Sequence, residues 1–506
     1  MKIAVVLILL LVSSPAFAQS NYAELSGTVL DPERAAIVGA SIQLTSVSTR
    51  AERIGSSNEH GIFQIPGLLP GEYKLTVKAP GFADANQLLR LEVGQQLSLN
   101  LTLKLGSVTS DVEVTSNLEM LDKTDASVGE VIEPTSVANL PLNGRMLIDL
   151  VLTVPGAHLS HGAQAGDMSP LYWRPGQRSA VSIGGNRPNA NYFLLDGTTN
   201  TDPTFNTLNL SPSPDAVQEF KVQTGSYSAE MGGAGGGQIN IVTRSGSNGF
   251  HGTAYEFMRN GALDAHTFND MGSNFLVQNN FGGSVGGPII RNKTFFFVNY
   301  EGLRLSRAQT MIQTVPTEME TMGDFSMSGL TIYNPFSSRP NPNFDSTRPI
   351  SPANPQIIRD PFPDNKIPSN LINPATALFL EKYMPRPNME MGMNSCEGMT
   401  MMGQPTLVGA GVDCNNYTDT RNAHHSTNQA TIRIDHTLSP RDNLWARYSL
   451  GAESGFTPEN LPGFGALHDN FSQQGSLAWN RVINPRMVNM AAITVSRLSM
   501  HRSSEN

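Results

Sequence analysis

Single-residue alternation of apolar and polar side chains runs through most of this chain, and it is clearest in the segment NQATIRIDHTLS. There Ala430, Ile432 and Ile434 interleave with Thr431, Arg433 and Asp435, a period of two that places the two sets on opposite faces of a strand. Six further segments after Gly246 share the pattern: GTAYEFMRNG, QNNFGGSVGG, KTFFFVNYEGLRL, DNLWARYSLG, QGSLAWNRVI and RMVNMAAITVSRL. Each is about the length a tilted membrane strand requires, with one face for lipid and the other for an aqueous or plugged lumen. A soluble sandwich with one wet face fits the same alternation. Phe295, Tyr300, Trp445, Tyr448 and Trp479 are candidates for interfacial girdles.

Shorter alternating runs come earlier. Leu25 to Val29, Ala40 to Leu44, Gly61 to Ile65, Tyr73 to Val77 and Leu97 to Leu103 are separated by Asp31-Pro32, Asn58 to Gly61, Pro66-Gly67, Pro70-Gly71 and Pro80-Gly81. Strands at this spacing with such turns predict a small β-sandwich over residues 20–105. The phrases SGTVLDP, GASIQLTS and NEHGIFQIPGLLPGEYKLTVKAPGF resemble the carboxypeptidase regulatory-like domain. No zinc-binding HxxE or HExxH pair accompanies them, so a structural or weak binding spacer is the expectation.

Between these regions the pattern is mixed. Leu147, Leu150 and Val151 at helical spacing, stopped by Pro155-Gly156, predict a helix. Val181 to Ile183, the Gly184-Gly185 turn and Tyr192 to Leu195, closed by Asp196-Gly197, predict a small hairpin. Strands are expected at Ala216 to Thr224 and Gln238 to Thr243. The wording LPLNGR, LLDG, AVQEFKV and GSYSAEMGGAGGGQINIVT resembles the plug domain of Oar-like TonB-dependent outer-membrane receptors, and the resemblance extends over nearly the whole chain.

Composition narrows the partners. The 506 residues carry a net charge of −9 and no basic stripe, which disfavours nucleic acid. Lys2, the apolar run Ile3 to Val12 and Ala16-Phe17-Ala18 form a secretory signal with cleavage expected after Ala18. Ten apolar residues are too few to span a bilayer as a helix, so insertion would have to be as a β-barrel.

No enzyme is expected. The run Gly232 to Gly237 precedes a strand and lacks the lysine of a phosphate cradle. Gly282-Gly283-Ser284-Val285-Gly286 fits GxSxG, but Gly287-Pro288 blocks the helix that a nucleophile elbow needs. No cofactor and no metal ligand set are expected. A long connection, residues 308–425, is kept irregular by Pro340, Pro342, Pro352, Pro361, Pro363 and Pro368, with only Pro374 to Tyr383 helical. It holds Cys396 and Cys414, a pair that favours a disulfide in an exported protein, contributing about 3 kcal/mol. Met389, Met391, Met393, Met399, Met401 and Met402 around Cys396 are soft ligands that would suit Cu(I) were the thiols reduced; a flexible, oxidisable loop explains them equally.

The fold class expected is therefore mainly β: signal peptide 1–18, sandwich 20–105, linker 106–125, a small α/β plug 126–245, and an incomplete antiparallel transmembrane barrel 246–506 with an external loop 308–425. The family resemblance implies residence in the cell outer membrane with the N-terminal domain in the periplasm, contact with outer-membrane lipid, and import of an unknown extracellular ligand. It implies a TonB-type periplasmic energy-coupling protein as partner, with Asp111, Val112, Glu113, Val114 and Thr115 as the coupling segment by strand addition; an ordinary linker strand is the other reading. It implies a ligand-facing plug apex at Gly184, Gly185, Asn186, Arg187, Asn189 and Asn191. Seven strands are far fewer than the roughly twenty-two of plugged transporters, so an N-terminal portion of a longer receptor is expected. A cell-surface adhesin or matrix/carbohydrate-binding protein anchored by the barrel is the alternative function.

Overall fold

The computed structural model describes residues 22–106, 112–113, 128–133, 136–137, 140, 142–159, 181–203, 206–227, 233, 235–265, 275–328, 331–389, 416–459, 461–485 and 487–505. The signal segment 1–18, Cys396, Cys414, and Asp111, Val114 and Thr115 lie outside these residues.

Two sheets form the N-terminal sandwich. Its strands are β1 (Ala23–Leu30), β2 (Ser41–Ser46), β3 (Glu52–Ser56), β4 (Ile62–Leu68), β5 (Gly71–Lys78), β6 (Ala85–Leu91) and β7 (Gln96–Thr102). One sheet has the order β4-β1-β7; the other, β3-β2-β5-β6, is extended by β8 (Val112–Glu113). Alternate residues Leu25, Ile42, Leu44, Phe63, Leu75, Val77, Leu97 and Leu99 close the core between them. The two strands that alternation misses are β3 and β6, whose residues are half-exposed over much of their length and carry a weak apolar signal.

The plug is built on a five-stranded sheet of order β13-β12-β15-β14-β9. These are β9 (Val128–Ile132), β12 (Tyr192–Leu195), β13 (Thr198–Thr199), β14 (Val217–Gly225) and β15 (Gln238–Thr243); β10 (Ala157–Leu159) and β11 (Val181–Ile183) make a separate ladder. Two expectations are corrected here. Val181 to Leu195 is not a hairpin, because β11 pairs with β10 while β12 runs parallel to β15. A 3-10 turn at Pro188–Ala190 redirects the chain between them. The expected helix is a 3-10 helix, Leu147–Thr153, with Leu147, Ile148, Leu150 and Val151 buried. The positive φ of Gly144 and Arg145 before it and Pro155 after it leave room for only a short, tight element.

The remaining long strands form one antiparallel meander: β16 (His251–Asn260), β17 (Leu276–Ile290), β18 (Thr294–Gln313), β21 (Tyr417–Ser439), β22 (Asp442–Thr457), β23 (Ala466–Asn484) and β24 (Met487–Ser504). They contain the seven alternating segments of the sequence in the same order. Several strands run well past the segments that predicted them, so the connection between β18 and β21 is residues 314–416, not 308–425. That connection carries α1 (Glu318–Thr321), β19 (Arg339–Pro340), β20 (Ile357–Ile358) and α2 (Pro374–Tyr383), the last matching its predicted bounds and capped by Asn373. Among the described residues β16 and β24 are the ends of the sheet, each with one neighbour.

Burial on this sheet is inverted relative to a soluble protein. Thr431, Arg433, Asp435, Arg447, Ser449, Gln474 and Ser476 are buried, whereas Ile432, Ile434, Tyr448 and Leu477 are exposed. The apolar face points outward, as a lipid-facing strand requires, and the polar face covers the plug. Two girdle candidates are thereby corrected: Phe295 and Trp445 lie on the inner face, buried, because their positions share the parity of Arg433 and Arg447 along the paired strands.

Candidate functional site

The plug meets the barrel wall through charged side chains taken out of water. Asp196, at the turn after β12, is the centre of one group. Its Oδ1 accepts the Thr243 N–H at 2.8 Å and its Oδ2 accepts the Thr243 hydroxyl at 2.8 Å. Arg433 Nη1 lies 3.1 Å from Oδ1, and Arg447 Nε lies 3.1 Å from Oδ2, close enough for an ion pair although its N–H is not aligned for a hydrogen bond. Arg433 also forks onto Asp435, with Nη2 at 2.8 Å, and stacks over Trp445 at 5.1 Å. Ser245 of the plug donates to Asp435 Oδ2 at 2.8 Å. Two arginines and two aspartates balance, the condition under which buried charge is tolerated.

A second group centres on Arg145, in the LPLNGR segment. Its Nε donates to Glu301 of β18 at 2.9 Å, and Nη2 pairs with Asp215 in the 3-10 turn just before β14. Its guanidinium sits 4.4 Å from the Tyr255 ring centroid and 4.9 Å from that of Phe257. Tyr255 donates to Glu301, and Thr253 donates to Asp215 at 3.1 Å. Neutral bonds add to the seam: Ser213 to Asn299 at 2.9 Å and Gln474 to the Thr199 carbonyl at 2.9 Å. A wall contact made of polar links, not of interdigitated apolar side chains, has a low cost of rewetting, because water replaces each bond when the parts separate.

The sandwich docks on the same end of the plug sheet as Asp196 and Thr243. Plug residue Glu219, fully buried, accepts the Val93 N–H at 2.8 Å, while Lys221 Nζ donates to the Val93 carbonyl at 3.3 Å. Burial pushes the Glu219 carboxyl up to about 7; the Val93 N–H and Arg90, 3.9 Å away, oppose that only in part. A cavity of about 1130 Å³ remains between the sandwich, the plug and the short turns of the wall, bordered by Arg53, Tyr73, Asp435 and Trp445.

The predicted apex lies at the end of the plug sheet opposite the sandwich. Glu219 pairs with Val242 at the sandwich end, and Tyr192 pairs with Gln238 at the far end. Gly184 and Gly185 turn with φ of 61° and 75°, and Asn186, Arg187 and Asn189 are exposed beside them. Asn191 differs. It is fully buried: Nδ2 donates to the Val181 carbonyl at 2.6 Å and Oδ1 accepts the Gly237 N–H at 3.0 Å. It fastens the apex loop and faces no ligand. Gly237 packs just as closely, since a Cβ on it would lie 2.2 Å from Ile183 Cδ1. Ser284 sits within β17, sharing a hydrogen bond with Thr253 at 2.9 Å, with strand on either side and no helix after it.

Of the predicted coupling segment, Val112 and Glu113 are described, and they pair in parallel with Ala85 and Asn86 on the edge of the sandwich. Sequence reasoning found the turn that holds Asp196 and quoted the LPLNGR segment that holds Arg145, but missed the ionic role of both residues. The one signal available was a charged residue on the polar face of an alternating strand, as at Arg433.

Comparison with known proteins agrees with this architecture. The model of the outer membrane beta barrel domain matches residues 242–506, and that of the carboxypeptidase regulatory-like domain matches residues 24–104. The TonB-dependent transporter Oar of Myxococcus xanthus is 29% identical over 305 residues, which is 58% of this chain and 27% of that protein. The chain thus spans about a quarter of the length of this curated relative. Among solved structures, the outer membrane transporter YddB from Escherichia coli superposes with a TM-score of 0.43 at 11% identity, covering 74% of this chain and 39% of its own. A mutant of the ferric enterobactin receptor PfeA from Pseudomonas aeruginosa gives 0.33 at 12% identity, covering 76% and 46%.

Proposed function

The chain belongs to the outer membrane beta barrel family, and on that premise we propose that it works as the plug-bearing part of a TonB-dependent outer-membrane receptor that imports an extracellular ligand. The observation that carries the reading is the polar seam between plug and wall. Asp196 on the plug is paired with Arg433 and Arg447 on the wall, Arg145 on the plug is paired with Glu301 on the wall, and Asp215 accepts from Thr253 of the wall, so the plug is held by a few exchangeable bonds. A ligand arrives at the end bearing Gly184, Gly185, Asn186, Arg187 and Asn189. The opposite end carries the sandwich, on the periplasmic side in this reading. The backbone of Val112 and Glu113 already has strand conformation, which suits capture by an energy-coupling protein through strand addition. Pulling on that segment loosens the seam.

The test uses a cysteine at Ser213, whose hydroxyl bonds Asn299 in the seam. In intact cells, labelling of this cysteine by an impermeant thiol reagent is expected to rise with external ligand and an energised membrane, and to fall with an uncoupler or on deletion of residues 111–115. Labelling indifferent to both treatments would refute energised opening and favour the adhesin, in which the barrel only anchors.

A further inference from the structure

The inner face of the wall carries a second group of titratable side chains beyond the plug seam. His425 on β21 and His468 on β23 share one row across the sheet, since His425 pairs with Gly455 of β22 and Gly455 pairs with His468. Both are on the inward parity, 6% and 5% exposed. Their rings lie 6.1 Å apart between centroids, with planes inclined by 33°. Gly455 makes this possible: a Cβ there would come within 2.6 Å of His468 Nε2, so the space over the middle strand is filled by imidazole.

Neither ring nitrogen of His425 has a hydrogen-bond partner among the described residues, and neither does Nε2 of His468. A polar group left buried and unpaired forfeits its bonds to water with nothing in exchange, which calls for an occupant. With metal–nitrogen bonds of about 2.0–2.1 Å, two imidazoles on one tetrahedral ion have centroids roughly 5–6 Å apart. The observed separation of 6.1 Å lies at the upper edge of that range. Two residues along β22 from Gly455 is Glu453, also buried, which accepts from Asn470 at 3.2 Å. Among the described residues no group of three or more His, Cys, Asp or Glu side chains is already gathered for a metal. The wall therefore offers two fixed nitrogens and leaves the other positions open, which marks an exchangeable site and not a closed structural one.

We propose that His425 and His468 chelate one borderline divalent transition cation of the Cu²⁺, Zn²⁺ or Ni²⁺ class, each through one neutral imidazole nitrogen. Imidazole selects these ions over Mg²⁺ and Ca²⁺, which prefer oxygen. Water fills the remaining positions, and Glu453 is the carboxylate on the same face that can approach. The inference is independent of import, because its readout is binding alone.

The experiment is a Cu²⁺ titration of the full chain folded in detergent micelles, followed by calorimetry and by electron paramagnetic resonance. One ion per chain is expected, with superhyperfine splitting from two nitrogens. In the double variant H425Q/H468Q the affinity of that site falls at least tenfold, while H424Q, altered on the opposite face of β21, binds as the unmodified chain does. Unmodified protein that binds no more Cu²⁺ than the double variant overturns the proposal. So does a spectrum of the unmodified chain lacking two-nitrogen coupling, a measurement that does not depend on any variant folding.

Discussion

Replacing Asp196 by asparagine keeps the shape of the side chain while deleting one of four balanced charges. Both carboxylate oxygens are in use: each accepts a bond from Thr243 and lies 3.1 Å from an arginine nitrogen. In Asp196→Asn the amide NH₂ must point at one of those donors, Arg433 keeps only Asp435, and Arg447 loses its carboxylate partner. At an effective dielectric of about 20, a contact near 3 Å is worth roughly 5 kcal/mol before desolvation is subtracted. Removing one partner of such a buried pair costs about 3–5 kcal/mol net. The Trp445 ring stacked on Arg433 is a local reporter, so urea unfolding in micelles can be followed by its fluorescence after Trp173 and Trp479 are changed to Phe. For a slope near 2 kcal/mol/M, the midpoint is expected to fall by roughly 2 M. Adding Arg447→Gln to Asp196→Asn removes the unmatched charge and is expected to restore a large part of the loss. A midpoint shift under about 0.5 M on this scale, or costs that merely add in the double variant, would refute the charge-balance argument.

Three other perturbations test the remaining architecture. Because burial raises the Glu219 carboxyl from 4.5 to about 7, docking favours its protonated form. The contribution is complete below about pH 4.5, is lost as pH rises through about 7, and amounts to about 3 kcal/mol between the limits. Hydrogen exchange of the Val93 amide, corrected for intrinsic rate, should therefore quicken as pH rises through 7 in the unmodified chain, and the dependence should flatten in Glu219→Gln; identical profiles would contradict it. Gly237→Ala pushes a methyl into Ile183 and should cost about 1–3 kcal/mol in thermal unfolding, with partial recovery in the Ile183→Val background; no loss would mean the two strands are not so closely apposed. Ile434→Lys places a charge on the outward face and should lower folding free energy in lipid vesicles by up to about 2–4 kcal/mol, depending on depth. An unchanged value would place Ile434 away from lipid.

Much of the fold was legible because each strand signal depends on near neighbours. Alternation at Ala430 to Asp435 requires only that successive side chains point to opposite sides, and the Gly184-Gly185 and Asp196-Gly197 turns follow from backbone sterics at two positions. The same local logic misled at Val181 to Leu195. Two strands joined by a turn read as a hairpin, yet β12 pairs with β15, some 46 residues on, and no local pattern encodes a partner at that distance. Strand ends were under-read where polar residues continue the ladder, as at Tyr417 to Thr427 opposite Leu303 to Gln313.

By itself the sequence determined where most of the long strands lie, which face of each is apolar and where the chain turns. Tertiary structure alone decided which polar residues meet: Asp196 with Arg433, 237 positions later, Arg145 with Glu301, 156 positions later, and His425 with His468 across a glycine. The reason is physical. Conformation follows from the sterics and solvation of neighbouring residues, whereas a charge balance or an imidazole pair depends on sheet register and on how plug, wall and sandwich pack together.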